Sequence, residues 1–342
     1  MPRLDEDQLL LAESAVPVLE AGAGPDRFRA LRDSGQTLDA TLWEQLVELG
    51  WPGIVFPEDR GGLGWGLPEL VVVMEALGHR LAVTPMLSTV LAGILDPEAG
   101  SAEGRVVALA WEDGPLDRGL SVHAGAARVQ GGVLTGEKRR VLDGMAAESF
   151  VVLGEQDGAP ALFRVDAAHV RRAALDRIDS RDAADVHFDG VPAVPLAATV
   201  EDLAVALDQG AVALSAEMLG GAQAALDATV AYLKERVQFD VPIGSFQALQ
   251  HRVVDGYIAV ELARSAVHAA ARDPSPGRVS LAKTRSNDAY AHVAREAIQL
   301  HGGIGMTDEH FIGFHLKRAQ VASMTLGTSA WHRDRWGRLH GY

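Results

Sequence analysis

Residues 236–250 combine side chains that can hold a phosphate-bearing ligand. The segment ends one predicted helix, turns at a proline and a glycine, and begins another helix. Such a corner can present Arg236, Gln238 and Gln247 to one ligand, because the fork of arginine donors suits a pyrophosphate and glutamines bond oxygens without adding charge. The alternative is a helix corner whose polar side chains only cap backbone groups.

A second segment, residues 299–307, contains adjacent glycines next to a glutamine. Gln299 is followed by Gly302, Gly303 and Gly305. Glycines let a ligand approach the backbone closely, and the exposed N–H groups of such a turn can bind phosphate oxygens. The same glycines commonly do no more than end a helix, so this reading also stays open.

Amphipathic helices are predicted on both sides of these segments and near the start of the chain. Apolar residues recur at helical spacing from Glu6 to about Leu95, and again from Val200 onward. The prolines and glycines of residues 51–64 predict an ordered loop between the early helices. Residues 274–277, Pro-Ser-Pro-Gly, are predicted to separate two of the late helices.

Between the helical regions, residues 105–195 change to short β-type runs separated by glycine and aspartate. This pattern predicts a compact antiparallel β unit. Runs of one element type, rather than alternation, argue against a doubly wound nucleotide-binding sheet. The fold class is therefore predicted as α+β, with a helical domain over 1–104, a β domain over 105–198 and a C-terminal four-helix bundle over 199–342.

The composition limits the classes of function. The formal net charge of −15, from 46 acidic and 31 basic residues, argues against binding nucleic acid. The 342 residues include no cysteine, so disulfides and thiolate-metal sites are excluded, and no metal site is predicted. Residues 1–7 are acidic and unlike a signal peptide, and no apolar stretch suggests a membrane span, so we expect a cytoplasmic protein.

Taken together, these segments resemble the acyl-CoA dehydrogenases, and the resemblance covers nearly the whole chain. The similar motifs are Arg-x-Gln-Phe at 236–239 with Pro-Ile at 242–243 and Phe-Gln at 246–247, then Gln-x-x-Gly-Gly-x-Gly at 299–305 with Glu309. The early loop 57–64, Pro-Glu-Asp-Arg-Gly-Gly-Leu-Gly, is similar to the N-terminal domain of that family. The resemblance implies an FAD-dependent dehydrogenase of acyl-CoA thioesters.

In this family FAD lies between two subunits, one of which holds the flavin ring while the other reaches the diphosphate and adenosine. The resemblance assigns that second role to seven residues: Arg236, Gln238, Phe239, Gln247, Gln299, Gly302 and Gly303. Asp240 stands where the family usually has glycine. A carboxylate at this position is a departure from the motif.

The carboxylate that would remove the substrate α-proton is absent from its usual positions. The resemblance places the commonest base position at Leu326 and the alternative position near Gly210, and neither side chain can take a proton. Asp208 and Glu217 are the remaining candidates, although Glu217 is more easily interpreted as a solvated or interface residue.

The predicted β domain also departs from the family. Residues 110–115, Ala-Trp-Glu-Asp-Gly-Pro, replace its usual Thr-Glu-Pro segment, and residues 138–143, Lys-Arg-Arg-Val-Leu-Asp, replace an aromatic followed by Ile-Thr or Ile-Ser. The motifs that reach a neighbour's FAD are thus kept, whereas those for the chain's own flavin ring are lost. The chain resembles the base-lacking subunit of heterotetrameric actinobacterial enzymes of sterol side-chain degradation.

Three hypotheses remain at this point. The first is the non-catalytic subunit of a heteromeric acyl-CoA dehydrogenase that completes the FAD site of its partner. The second is a self-sufficient enzyme, a homo-oligomer, with Glu217 or Asp208 as a displaced base. The third is a flavin-dependent hydroxylase or a structural relative on the same scaffold, in which His301, His332 or His340 acquires a role.

Overall fold

The N-terminal part of the chain is helical, as predicted. The computed structural model describes residues 4–114, 119–120, 122 and 125–342, so Pro115 of the β-domain segment and the first three residues lie outside it. Five helices precede the first strand: α1 (Glu6–Gly22), α2 (Pro25–Asp33), α3 (Ala40–Glu48), α4 (Leu67–His79) and α5 (Met86–Leu95). Asp5 begins α1 as a capping box with Gln8, which satisfies backbone donors that the helix start leaves open.

In the middle of the chain, the residues that the structure describes form one sheet of eight strands. They are β1 (Val107–Ala110), β2 (Arg128–Gln130), β3 (Val133–Leu142), β4 (Ser149–Gln156), β5 (Ala159–Asp166), β6 (Arg171–Ala174), β7 (Ala183–Pro192) and β8 (Val194–Pro195). Their order is β6-β7-β3-β2-β4-β5-β8, and β1 also pairs with β4. Phe150, Val152 and Phe163 lie in the apolar core of this sheet.

The prediction of a purely antiparallel β unit was wrong, because the sheet is mixed. Both β1 and β2 run parallel to β4, whereas the other pairs are antiparallel. The reason lies in the strand order. β3 turns back along β2, and the chain then returns to the free side of β2 as β4, which must run in the direction of β2.

The C-terminal region is again helical and contains five helices. They are α6 (Val200–Glu235), α7 (Gln247–Arg272), α8 (Pro276–His301), α9 (Ile312–Met324) and α10 (Ser329–Leu339). A short hairpin of β9 (Val237–Gln238) and β10 (Val241–Pro242) joins α6 to α7. The predicted break at residues 274–277 is confirmed, since Pro276 occupies the first turn of α8.

By length and composition, α6 could cross a membrane. However, 83% of its most apolar window is buried inside the protein, as in the core helix of a soluble protein. We found no other such helix within the described residues.

The contacts divide the chain into two compact units that are discontinuous in sequence. One contains 4–30, Val71–Ala82 and Ala211–Tyr342, and the other contains Leu31–Leu70 and Val83–Gly210. In the first unit α4 and α6 cross at two glycines. A Cβ atom at Gly78 would lie 1.9 Å from the Glu217 carbonyl oxygen, and one at Gly220 would lie 1.9 Å from the Glu75 carbonyl oxygen. Only glycine therefore permits this backbone approach.

Candidate functional site

The corner predicted from residues 236–250 exists, and a tight hairpin forms its tip. Gln238 pairs with Val241 across the turn, and Phe239 and Asp240 have φ values of 53° and 63°. Left-handed backbone explains why the family favours glycine at position 240, and aspartate is among the residues that tolerate this conformation. Asp240 is therefore compatible with the family's turn.

The polar side chains at this corner are open to solvent. Arg236, Gln238 and Gln247 are all exposed. Within the described residues, the guanidinium of Arg236 makes no hydrogen bond or ion pair, and neither does the amide of Gln247. Phe239 is 86% exposed, which is unusual for a large apolar side chain. The Gln238 amide donates to the Val237 carbonyl oxygen over 2.8 Å, and the Phe239 ring meets the Phe246 ring edge-on with centroids 6.0 Å apart. The corner thus offers the donors of Arg236 and Gln247, which the described residues leave unused.

The glycine turn follows α8 directly. Gly302 has φ 66° and ends the helix, and residues Gly302–Met306 form a 3₁₀ turn. A Cβ atom at Gly302 or Gly303 would have no atom within 4 Å, whereas one at Gly305 would lie 2.7 Å from the Ile298 carbonyl oxygen. Gly305 is thus required for packing, and Gly302 and Gly303 leave open space beside the backbone. Gln299, in the last turn of α8, is exposed.

Tyr232 joins the corner to the glycine turn. Its hydroxyl donates to the carbonyl oxygen of His301 over 3.3 Å, and its ring stacks on the His301 ring with centroids 4.4 Å apart. Its own carbonyl oxygen accepts from the backbone N–H of Arg236. The two predicted segments, residues 236–250 and 299–307, therefore lie side by side, although 48 residues separate them in the sequence.

The side chains of His301 and His310 contact each other next to the glycine turn. The His301 ring lies 4.6 Å from the His310 ring, and His301 Nδ1 lies 2.7 Å from the Ala297 carbonyl oxygen. Burial lowers the pKa of His301, so the ring is neutral and Nδ1 carries the proton that it donates. Sequence reasoning missed Tyr232 and His310. Tyr232 could have been found from its position, because it lies one helical turn before Arg236.

Leu326, at the commonest base position, lies in a fixed turn between α9 and α10. It has φ 53° and is 7% exposed. His332 Nε2 lies 2.9 Å from the Leu326 carbonyl oxygen, and burial lowers the pKa of His332 to about 3, so the neutral ring donates this bond. Asn287 donates to the Gly327 carbonyl oxygen over 3.4 Å. The turn is held firmly but presents a hydrocarbon side chain.

Glu217 is buried, so its interpretation as a solvated or interface residue was wrong. Its Oε1 lies 3.3 Å from Arg318 Nη1, and the two side chains are only 9% and 3% exposed. The buried guanidinium would lose its carboxylate partner if Glu217 took up a proton. Asp208 is also buried and has interactions of its own within the chain. At Gly210 a Cβ atom would lie 2.7 Å from Leu91, so a larger side chain has no room there.

In the sheet, the segments that depart from the family bind one another. Arg140 pairs with Glu112 at 3.0 Å and donates to the Gly114 carbonyl oxygen. Lys138 is fully buried, pairs with Asp113 at 3.0 Å, and burial lowers its pKa. An arginine thus stands where the family has an aromatic residue, and its donors are directed to the chain's own carboxylate and carbonyl groups.

The chain matches known proteins over nearly its whole length. Residues 5–104 match the family described as the acyl-CoA dehydrogenase N-terminal domain, and residues 202–339 match its C-terminal domain. It is 34% identical to acyl-CoA dehydrogenase IpdE2 of Mycolicibacterium smegmatis over 327 residues, which are 95% of this chain and 96% of that protein. The chain belongs to the acyl-CoA dehydrogenase family.

Two similar solved structures contain pairs of different proteins. One is the ChsE4-ChsE5 complex from Mycobacterium tuberculosis, with 29% identity, a TM-score of 0.89 and coverage of 99% of this chain and 98% of that one. The other is a variant of the Tcur3481-Tcur3483 steroid acyl-CoA dehydrogenase, with 30% identity, a TM-score of 0.87 and coverage of 98% of both chains. The predicted resemblance to heteromeric members of the family is confirmed.

FAD is the cofactor of this family, and two parts of the chain fit it unequally. The corner and glycine turn fit its phosphate-bearing end, because they combine an unpaired guanidinium, open amides and backbone with free space. The residues 112–114 and 138–142 do not fit a flavin ring, because Arg140 and Lys138 are engaged in ion pairs and Leu142 replaces a hydroxyl side chain.

Proposed function

We propose that this chain is the base-lacking subunit of a heteromeric acyl-CoA dehydrogenase and completes the FAD site of a second, acyl-CoA dehydrogenase-like subunit. The observation that carries the proposal is the contrast between the two cofactor-binding regions. Arg236 and Gln247 are open and unused within the described residues, whereas the segment around Arg140 is closed by its own ion pairs.

The proposed assembly is a heterotetramer that acts on acyl-CoA thioesters in the cytoplasm. When bound, FAD supplies the acceptor for the hydride that leaves the substrate β-carbon. The partner subunit supplies the carboxylate that takes the α-proton, because position 326 of this chain holds leucine and Glu217 neutralises buried Arg318. The domain limits near residues 104 and 198 are part of the same proposal.

The residues of this chain act by binding and orientation. The guanidinium of Arg236 would donate to the diphosphate, and the amides of Gln238, Gln247 and Gln299 would bond oxygens of the phosphates or sugar. The N–H groups beside Gly302 and Gly303 can approach the same ligand, since no side chain covers them. Phe239, 86% exposed in the single chain, would pack against the partner or the cofactor.

Co-expression with an acyl-CoA dehydrogenase-like partner tests this proposal. We expect the chain alone to be colourless, and the two-component assembly to be yellow and active. Arg236→Gln should reduce FAD retention of the assembly roughly tenfold, because a charge-assisted bond is lost. Arg295→Gln is the matched control, since Arg295 is also exposed and without a partner within the described residues.

Two results would contradict parts of this proposal. A yellow, homomeric and active protein from this chain alone would refute the partner-subunit proposal. If Arg236→Gln and Arg295→Gln then retained FAD equally, the assignment of the corner to the cofactor would also be lost.

A further inference from the structure

A groove of about 420 Å³ lies between α8 and α10, and the chemistry proposed above does not use it. Leu281, Thr284 and Arg285 line it from α8, and Arg333 and Trp336 line it from α10. Its volume is in the range of small-molecule sites, which are mostly apolar with a few polar groups that fix orientation.

The charges in the groove leave one cation without a counterion. Asp288, which also lines the groove, accepts from Ser329 over 2.9 Å and pairs with Arg333. Arg285 is exposed, and within the described part of the chain its guanidinium makes no ion pair or hydrogen bond. The groove therefore carries a net positive charge at Arg285.

The two helices that form the groove are basic in an acidic protein. Besides the buried Lys283, α8 contains three arginines and two acidic residues, and α10 contains three arginines and one aspartate. The whole chain has a formal net charge of −15. A local cationic cleft of this kind attracts anions that the rest of the surface repels.

Trp336 supplies an aromatic wall. The His340 ring stacks on the indole with centroids 4.0 Å apart, and Trp336 remains 38% exposed. The Tyr342 ring is also nearly parallel to the indole, with centroids 6.4 Å apart, and the part of Trp336 that lines the groove stays open. Thr284 lies on the opposite wall, where it is 8% exposed and its hydroxyl has no hydrogen-bond partner within the described residues. An aromatic ring, a free guanidinium and an unsatisfied hydroxyl together favour a planar, hydrogen-bonding anion.

We propose that this groove binds the nucleotide moiety of a ligand, with the base against Trp336 and the phosphate at Arg285. Aromatic stacking accepts the face of a base, and the arginine fork matches phosphate oxygens. The site is distinct from the corner and glycine turn. Arg285 and Gln299 are on the same helix, and at 1.5 Å per residue they are about 20 Å apart.

Isothermal titration calorimetry of the full chain, with ADP, coenzyme A and inorganic phosphate as separate probes, tests the proposal. We expect saturable ADP binding that Arg285→Gln weakens roughly tenfold or more, as for a lost charge-assisted bond. Trp336→Leu should weaken it roughly tenfold through lost stacking, whereas inorganic phosphate should bind much more weakly than ADP. Arg295→Gln, on the same helix but outside the groove, should have no effect.

The probes also separate the two sources of such a ligand. Equal affinity for ADP and coenzyme A, both sensitive to Arg285→Gln, would indicate a free nucleotide, and tighter binding of coenzyme A would indicate the nucleotide end of a thioester. Absence of saturable binding, equal effects of the two arginine variants, or phosphate binding as tight as ADP would overturn the proposal. So would loss of ADP binding in Arg236→Gln with Arg285→Gln unaffected, since ADP would then occupy the corner.

Discussion

Removing the carboxylate of Glu217 should destabilise the fold and not the chemistry. Glu217 and Arg318 are buried together, with 3.3 Å between Oε1 and Nη1, and Arg318 has a second acceptor in the Ala82 carbonyl oxygen. Removing one partner of a buried pair leaves an uncompensated charge and costs about 3–5 kcal/mol. The Glu217 carboxylate also raises the pKa of Lys283, which burial lowers. Removing the carboxylate would therefore destabilise the charged form of Lys283 as well.

We therefore expect Glu217→Ala to lower the thermal midpoint by roughly 6–20 °C, at about 2–4 °C per kcal/mol. Glu217→Gln keeps an acceptor for Arg318 and should cost less, about 1–3 kcal/mol. Glu261→Gln is the control, because Glu261 pairs with Arg264 at 3.1 Å but remains 21% exposed and should cost at most about 1 kcal/mol. Calorimetry of each variant chain is compared with acyl-CoA turnover of the two-component assembly that contains it.

The contrary outcome is that both Glu217 variants keep the thermal midpoint of the parent protein while turnover falls by a factor of about 10²–10⁴, the contribution of a general base. That result would make Glu217 the displaced base of a self-sufficient enzyme.

Three further outcomes are expected. Burial raises the pKa of Asp143 from 3.8 to about 7, so between these pH values the folded state binds a proton that the unfolded state lacks. The free energy of unfolding therefore falls as pH rises through this range. Asp143→Asn should remove this loss, as measured by urea titrations at pH 5 and 8. Burial lowers the pKa of Lys283 from 10.5 to about 7, so stability should rise with pH between these values, and Lys283→Met should flatten that rise. Phe239→Ser should leave the urea midpoint of the single chain unchanged but weaken the two-component assembly on size-exclusion chromatography, whereas Val16→Ser, at a site 50% exposed, should change neither.

Patterns in the sequence predicted the helices and their ends well, because these depend on residues close together in the chain. The helical spacing before Leu95 and after Val200, and the break before Pro276, correspond to observed helices and their ends. The direction of β4 relative to β2 could not be predicted, because it depends on which side of β2 the chain returns to. Strand neighbours are set by packing across the sheet, which alternation along one strand does not encode.

The candidate site was only partly accessible to the same reasoning. The motif residues Arg236 and Gly302 were visible as types that suit phosphate, but their proximity depends on Tyr232, whose hydroxyl bonds a residue of another helix. Glu217 was misread because its acidic side chain looked solvated, and its partner Arg318 is distant in sequence. A buried charge is recognised only when its counterion is known.

The glycine crossing of α4 and α6 has a consequence for how the chain is made. Gly78 and Gly220 face each other's helix backbone, so the segment Val71–Ala82 finds its place only after residues near 220 have been synthesised. Contacts between such distant parts of a chain form slowly, since a long loop must close first. During translation the early helices therefore expose apolar surface until most of the polypeptide has left the ribosome, and we expect this nascent stage to depend on chaperones more than the finished protein does.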